Sequence, residues 1–121
     1  TEQPAVAYFD FELGDTPNPM MFDGEDWTSM GEEDPWGHGS QTQSLAFKGD
    51  GTPYFTYGDI PLKAWKLNGD DWTSVGEIDD REGIVVIMVV GLAFDANDNL
   101  YAAYLWSENG ASYYFTVKKL Q

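Results

Sequence analysis

Carboxylates are the most abundant groups in this chain that could do chemistry, and two pairs of them fall in loop-like stretches. Glu32 with Glu33 and Asp79 with Asp80 could supply the acid and the nucleophile or base of a glycosidase, since that chemistry needs two carboxyl groups flanking one bond. With 21 acidic residues in 121, such pairs also arise by chance, and no catalytic residue is assigned. His38, the single histidine, sits between Gly37 and Gly39 and could act as a general base or a metal ligand, but it has no second histidine and no nucleophile beside it. Asp95-Ala96-Asn97-Asp98-Asn99 alternates oxygen ligands as calcium loops do. It lacks the glycine at the sixth place and the distant glutamate, so a plain hairpin turn is the better reading, and neither a metal nor a cofactor is expected. What remains is a binding chemistry. Trp36 and Trp106 could pack on the apolar face of a sugar while His38, Asp59, Asp80 and Arg81 exchange hydrogen bonds with its hydroxyls, and these six form the candidate ligand set.

The formal charge of −15, from 21 acidic and 6 basic side chains, argues against nucleic acid and anionic membranes as partners, because phosphates are neutralised by clustered Lys and Arg. The same field would attract metal ions or cationic partners, and its simplest reading is solubility in a salty or extracellular setting. The ligand expected at the loop-bearing rim is a neutral glycan or a protein. There is no cysteine, so disulfides and thiolate metal sites are excluded, and this leaves the compartment open. The first residues, Thr1-Glu2-Gln3-Pro4, have neither the basic start nor the apolar run of a secretory leader, as expected of a mature chain or of a piece of a longer one. The longest apolar run, Ile84-Val85-Val86-Ile87-Met88-Val89-Val90, is too short to cross a bilayer as a helix, and no membrane insertion is expected.

The elements that position these residues come from an internal repeat. Gly24-Glu25-Asp26-Trp27-Thr28-Ser29-Met30-Gly31 recurs as Gly69-Asp70-Asp71-Trp72-Thr73-Ser74-Val75-Gly76, a shift of 45 residues from Gly24 to Gly69. Leu45-Ala46-Phe47 recurs as Leu92-Ala93-Phe94, a shift of 47 from Leu45 to Leu92. Five Trp, seven Tyr, seven Phe and 13 Gly suit short strands joined by tight turns. Asp23-Gly24, Gly49-Asp50-Gly51 and Asn68-Gly69 each mark a hairpin, because glycine accepts the positive φ such turns need. Residues 11–19, with two prolines, read as a loop, and Met20-Met21-Phe22 as the strand after it. The count is three strands, then four, then three, in one domain over 1–121: a partial unit at 1–31, a full one at 45–76 and a partial one at 92–121. Trp27, Trp65 and Trp72, at repeated or strand positions, read as core.

The sequence Leu92-Ala93-Phe94-Asp95, a turn, Tyr101-Ala102-Ala103-Tyr104, a Lys-Leu strand and Trp72-Thr73-Ser74-Val75-Gly76 resembles the repeats of bacterial secreted β-propellers, related in layout to NHL and kelch-like blades. The resemblance covers nearly the whole chain. It implies an all-β fold of four-stranded antiparallel blades, an extracellular or cell-surface location, and a non-enzymatic binding or scaffold role at the rim that carries the variable loops. A self-assembling subunit without a small ligand, and a glycan-active enzyme using paired carboxylates, are the alternatives.

An open row of three blades would leave two apolar faces uncovered, so closure by a second copy, a dimer in preference, or by a companion propeller segment is expected. Residues 84–90 read either as a long buried inner strand or as the assembly interface, with Val86, Met88 and Val90 as its contact residues.

Overall fold

The computed structural model describes residues 4–10, 16–31, 43–57 and 62–120, and among them every regular element is a β-strand. The chain is all-β, as expected. Among the described residues, ten strands form three antiparallel sheets, each a simple meander. The first sheet holds β1 (Ala5–Asp10), β2 (Thr16–Phe22) and β3 (Trp27–Ser29). The middle sheet holds β4 (Gln43–Phe47), β5 (Pro53–Tyr57), β6 (Leu62–Asn68) and β7 (Asp71–Asp79). The third holds β8 (Val85–Phe94), β9 (Leu100–Ser107) and β10 (Tyr113–Lys119).

Side-chain alternation packs the sheets face to face in chain order. From the middle sheet, Phe55, Tyr57 and Trp72 turn toward the first sheet and bury with Met30, Ala5, Ala7 and Met21. The opposite face of the same sheet, with Leu62, Ala64 and Ile78, meets Val86, Val89, Leu92, Leu100, Ala102 and Tyr104 of the third. Each fully buried Leu, Ile, Val or Phe among these contributes about 1.5–3 kcal/mol, so the middle sheet is held from both sides. Equivalent positions point the same way: Phe55 and Tyr57 face the sheet before them, and so do Ala102 and Tyr104, 47 residues on. The sheets are therefore stacked in one sense. Polar contacts cross the second junction as well, where the Leu92 N–H donates to Ser44 Oγ at 3.0 Å and the Gly49 N–H to Asp98 Oδ1 at 3.0 Å.

Three expectations need correction. Thr16 to Pro19 belongs to β2 rather than to a loop. The Phe22 N–H donates to the Pro4 carbonyl on the β1 side, and the Pro19 carbonyl accepts from the Met30 N–H on the other. Residues two apart share a direction, so the N–H groups that Pro17 and Pro19 lack would have pointed away from β1, beyond the end of β3, where the ladder does not need them.

Trp27 is not core. It is 48% exposed, whereas its counterpart Trp72 is 5% exposed, because the first sheet covers Trp72, while Trp27 packs against the Phe22 ring of its own sheet, 5.4 Å between centroids. Val86 is not an interface residue either. It lies 8% exposed inside the chain's own core, while Met88 and Val90 are 45% and 56% exposed. Register shifts between Val86 and Met88 and between Val89 and Gly91 break the alternation of β8, so the run reads neither as uniformly buried nor as uniformly outward.

Candidate functional site

The functional groups that the structure brings together lie where β7 hands over to β8. Bulges in the β6–β7 pairing put Leu62 opposite Asp79 and skip Ile78, so Ile78 and Asp79, adjacent in sequence, are both buried. The carboxylate arrives beneath β9. Its Oδ2 accepts from the Tyr104 hydroxyl at 2.8 Å and from Arg81 Nη2 at 2.6 Å, and its Oδ1 from Arg81 Nε at 2.9 Å and from the Arg81 N–H at 3.2 Å. Asp79 is 1% exposed and the Arg81 side chain 46%, so a buried anion is held by a cation that still reaches water.

The fork of donors from Arg81 is the main cause that brings the Asp79 carboxyl from an ordinary 3.8 down to about 2, against the opposing effect of burial. Tyr104 moves the other way. Burial, then the adjacent Asp79 carboxylate, push its phenol above the usual tyrosine range, so it stays a hydrogen-bond donor.

Arg81 also lies over the indole of Trp106, its guanidinium carbon 4.0 Å from the ring centroid, in a cation–π contact. The Trp106 Nε1–H donates to Thr116 Oγ1 at 2.9 Å, and Tyr114 stacks on the indole with centroids 4.7 Å apart. The turn behind them is fixed locally. Ser107 Oγ accepts from the Gly110 N–H at 2.8 Å, and Asn109 Oδ1 accepts from the Ala111 and Ser112 N–H groups at 2.9 Å. Trp106 is thus a buried keystone, and the outward surface of the cluster is made by Arg81 and Tyr114.

Of the six candidate ligand residues, Arg81 and Trp106 meet in this cluster, and Asp80 is exposed beside it. Trp36, His38 and Asp59 lie outside the described residues, as do Glu32 and Glu33, so the paired-carboxylate arrangement has only its Asp79–Asp80 half here. Asp79 entered as half of a carboxylate pair, and Tyr104 and Tyr114 are the members that the candidate residues left out. Tyr104 had a readable signal, because the 47-residue repeat equates it with the core residue Tyr57.

Asp95 behaves as a turn residue. One oxygen accepts from the Asn97 and Asn99 N–H groups and the other from the Asn99 side-chain amide, all at 2.9 Å, and these bonds, the Asn99 side chain first, lower its pKa. Among the described residues no group of three His, Cys, Asp or Glu side chains converges, and no helix is long and apolar enough to cross a membrane.

No family model, no curated protein and no solved structure matches this chain.

Proposed function

We propose that this chain is a non-enzymatic binding or scaffold protein built on propeller-type blades, acting outside the cell or at its surface, with a neutral glycan as ligand of the Arg81–Trp106–Tyr114 cluster. The observation that carries the reading is the fixed, half-exposed guanidinium of Arg81, locked by Asp79 and set on an aromatic base beside an open tyrosine ring. A pre-positioned donor next to an aromatic face suits the hydroxyls and apolar face of a sugar, with little side-chain entropy left to lose on binding. The ionised Asp79, saturated by four donors, has no proton to give, which favours binding over acid–base turnover.

Titration of the protein with a panel of neutral oligosaccharides, followed by the Trp106 indole and Tyr114 ring resonances, tests the reading. Saturable shifts at those residues, lost in Tyr114→Ala with the fold intact, are expected. A panel that moves neither residue, or a sugar that is hydrolysed, would contradict it.

A second reading, a structural self-assembling unit, is favoured by the apolar outer faces of the first and third sheets.

A further inference from the structure

The two end sheets leave apolar side chains in water: Val6 and Trp27 on the first, and Met88, Val90, Phe115 and Val117 on the third. Patches of this kind mark contact surfaces. The repeat says what kind of surface each one is. Val6 follows Pro4 at one remove as Phe55 follows Pro53, and Trp27 stands where Trp72 stands one repeat later. Phe55 and Trp72 are buried, because they form the face that the middle sheet turns toward the sheet before it. Val117 stands where Ala64 does in the strand ending in Lys-Lys-Leu or Trp-Lys-Leu, and Ala64 is buried in the face that the middle sheet turns toward the sheet after it. The first sheet therefore exposes the face that packs backward, and the third exposes the face that receives. They are the two halves of one junction, which the chain already makes twice within itself.

We infer that the third sheet of one copy docks the first sheet of a second copy, continuing the stack head to tail. The occupant is a second copy because each chain carries both halves of the junction, and the internal junctions supply the pattern. That pattern also says which side chains meet. Across the second junction the Phe94 ring, on the first strand of its sheet, packs edge-on against Tyr54 on the second strand of the sheet before, with centroids 4.9 Å apart. Leu120, just past the third strand of its sheet, lies beside Gly76 on the fourth strand of the sheet before. The first strands also meet directly, where the Leu92 N–H of β8 reaches Ser44 of β4, and Ala102 on the second strand is buried in one cluster with Ala64 on the third strand of the sheet before. Ala102 and Ala64 stand where Val6 and Val117 stand in the repeat, so Val6 of one copy and Val117 of the other fall in one cluster at the new junction. The contact joins two different surfaces, so it closes into a ring or runs on as a filament according to the rotation per copy. With −15 on every chain, screening by salt strengthens it.

Because the chain has no cysteine, Val6→Cys and Val117→Cys each introduce a single reactive thiol. The two variants, checked for unchanged far-ultraviolet circular dichroism, are treated with a short bismaleimide separately and mixed. A covalent pair that forms in the mixture and in neither variant alone is the expected result. Cross-linking of either variant with itself, to the extent seen in the mixture, would overturn the head-to-tail arrangement in favour of like faces meeting. Light scattering over a wide range of protein concentration and salt supplies the second measurement. The parent should grow in mass where a folded Val117→Glu variant stays at one chain. A parent that stays at one chain throughout, or a Val117→Glu variant that associates as the parent does, would overturn the contact itself.

Discussion

Replacing Asp79 by Asn removes the charge that fixes the cluster while keeping the size of the side chain. The magnitude follows from the carboxyl's displacement from 3.8 to about 2, close to two pH units, each equivalent to about 1.4 kcal/mol of preference for the ionised form. The cost at neutral pH is therefore roughly 2–3 kcal/mol, which for a domain of this size lowers the melting temperature by on the order of 10 °C. The sign of the pH dependence is set by the same shift. Because the folded-state value is the lower one, the unfolded chain takes up the proton first as the solution is acidified. The contribution is then complete above about pH 4 and is lost as the pH falls toward 2. Hydrogen bonds also lower the pKa of other carboxylates, Asp23, Asp50 and Asp95 among them, so the informative quantity is the difference between parent and variant. Urea unfolding followed by tryptophan fluorescence, repeated between pH 7 and pH 2, gives it directly. The gap between the two proteins should be widest at neutral pH and close as the pH approaches 2. A gap under about 0.5 kcal/mol at pH 7, or one that does not narrow with acid, would refute the assignment of Asp79 as an ionised, buried anchor.

Two further substitutions probe the packing. Trp72→Phe removes the donor that meets the Met30 carbonyl at 2.6 Å in a buried position and should destabilise the chain by about 1–3 kcal/mol in chemical denaturation, beyond the loss of ring area. Val86→Asp buries an unpaired carboxylate and should abolish the native circular dichroism and the cooperative unfolding transition, whereas Val90→Asp, at an exposed position, should retain both.

Much of this architecture was legible because the repeat carries it. The 45- and 47-residue shifts and the Gly-bearing turns mark where strands begin and end, and alternation then sorts their side chains between two faces. Burial was less legible than position. Trp27 and Trp72 occupy the same place in the repeat, yet only Trp72 has a sheet laid over it, and that depends on the neighbour rather than on the residue. Bulges account for the other departures. Two register shifts in the pairing of β8 turn Val86 inward and Val90 outward within one uniformly apolar run, and the bulge at Ile78 brings Asp79, rather than Asp80, into the core. Such a slip reverses every side chain beyond it and leaves no mark in composition. Arg81 and Trp106 were readable as candidates by type. Their partners Asp79 and Tyr104 come from strands 25 residues apart, and only the stacking of the sheets unites them.

The central claim is that equivalent faces stack in one sense, each sheet sealed by the one before it. The indole N–H of Trp72 tests this most directly, by nuclear magnetic resonance with hydrogen exchange. In dilute protein the account predicts a slowly exchanging Trp72 proton with an Overhauser contact to the α-protons of Gly31, whose position lies against the indole nitrogen, beside a fast-exchanging Trp27. Equal exchange at the two tryptophans, with no contact between Trp72 and Gly31, would contradict it.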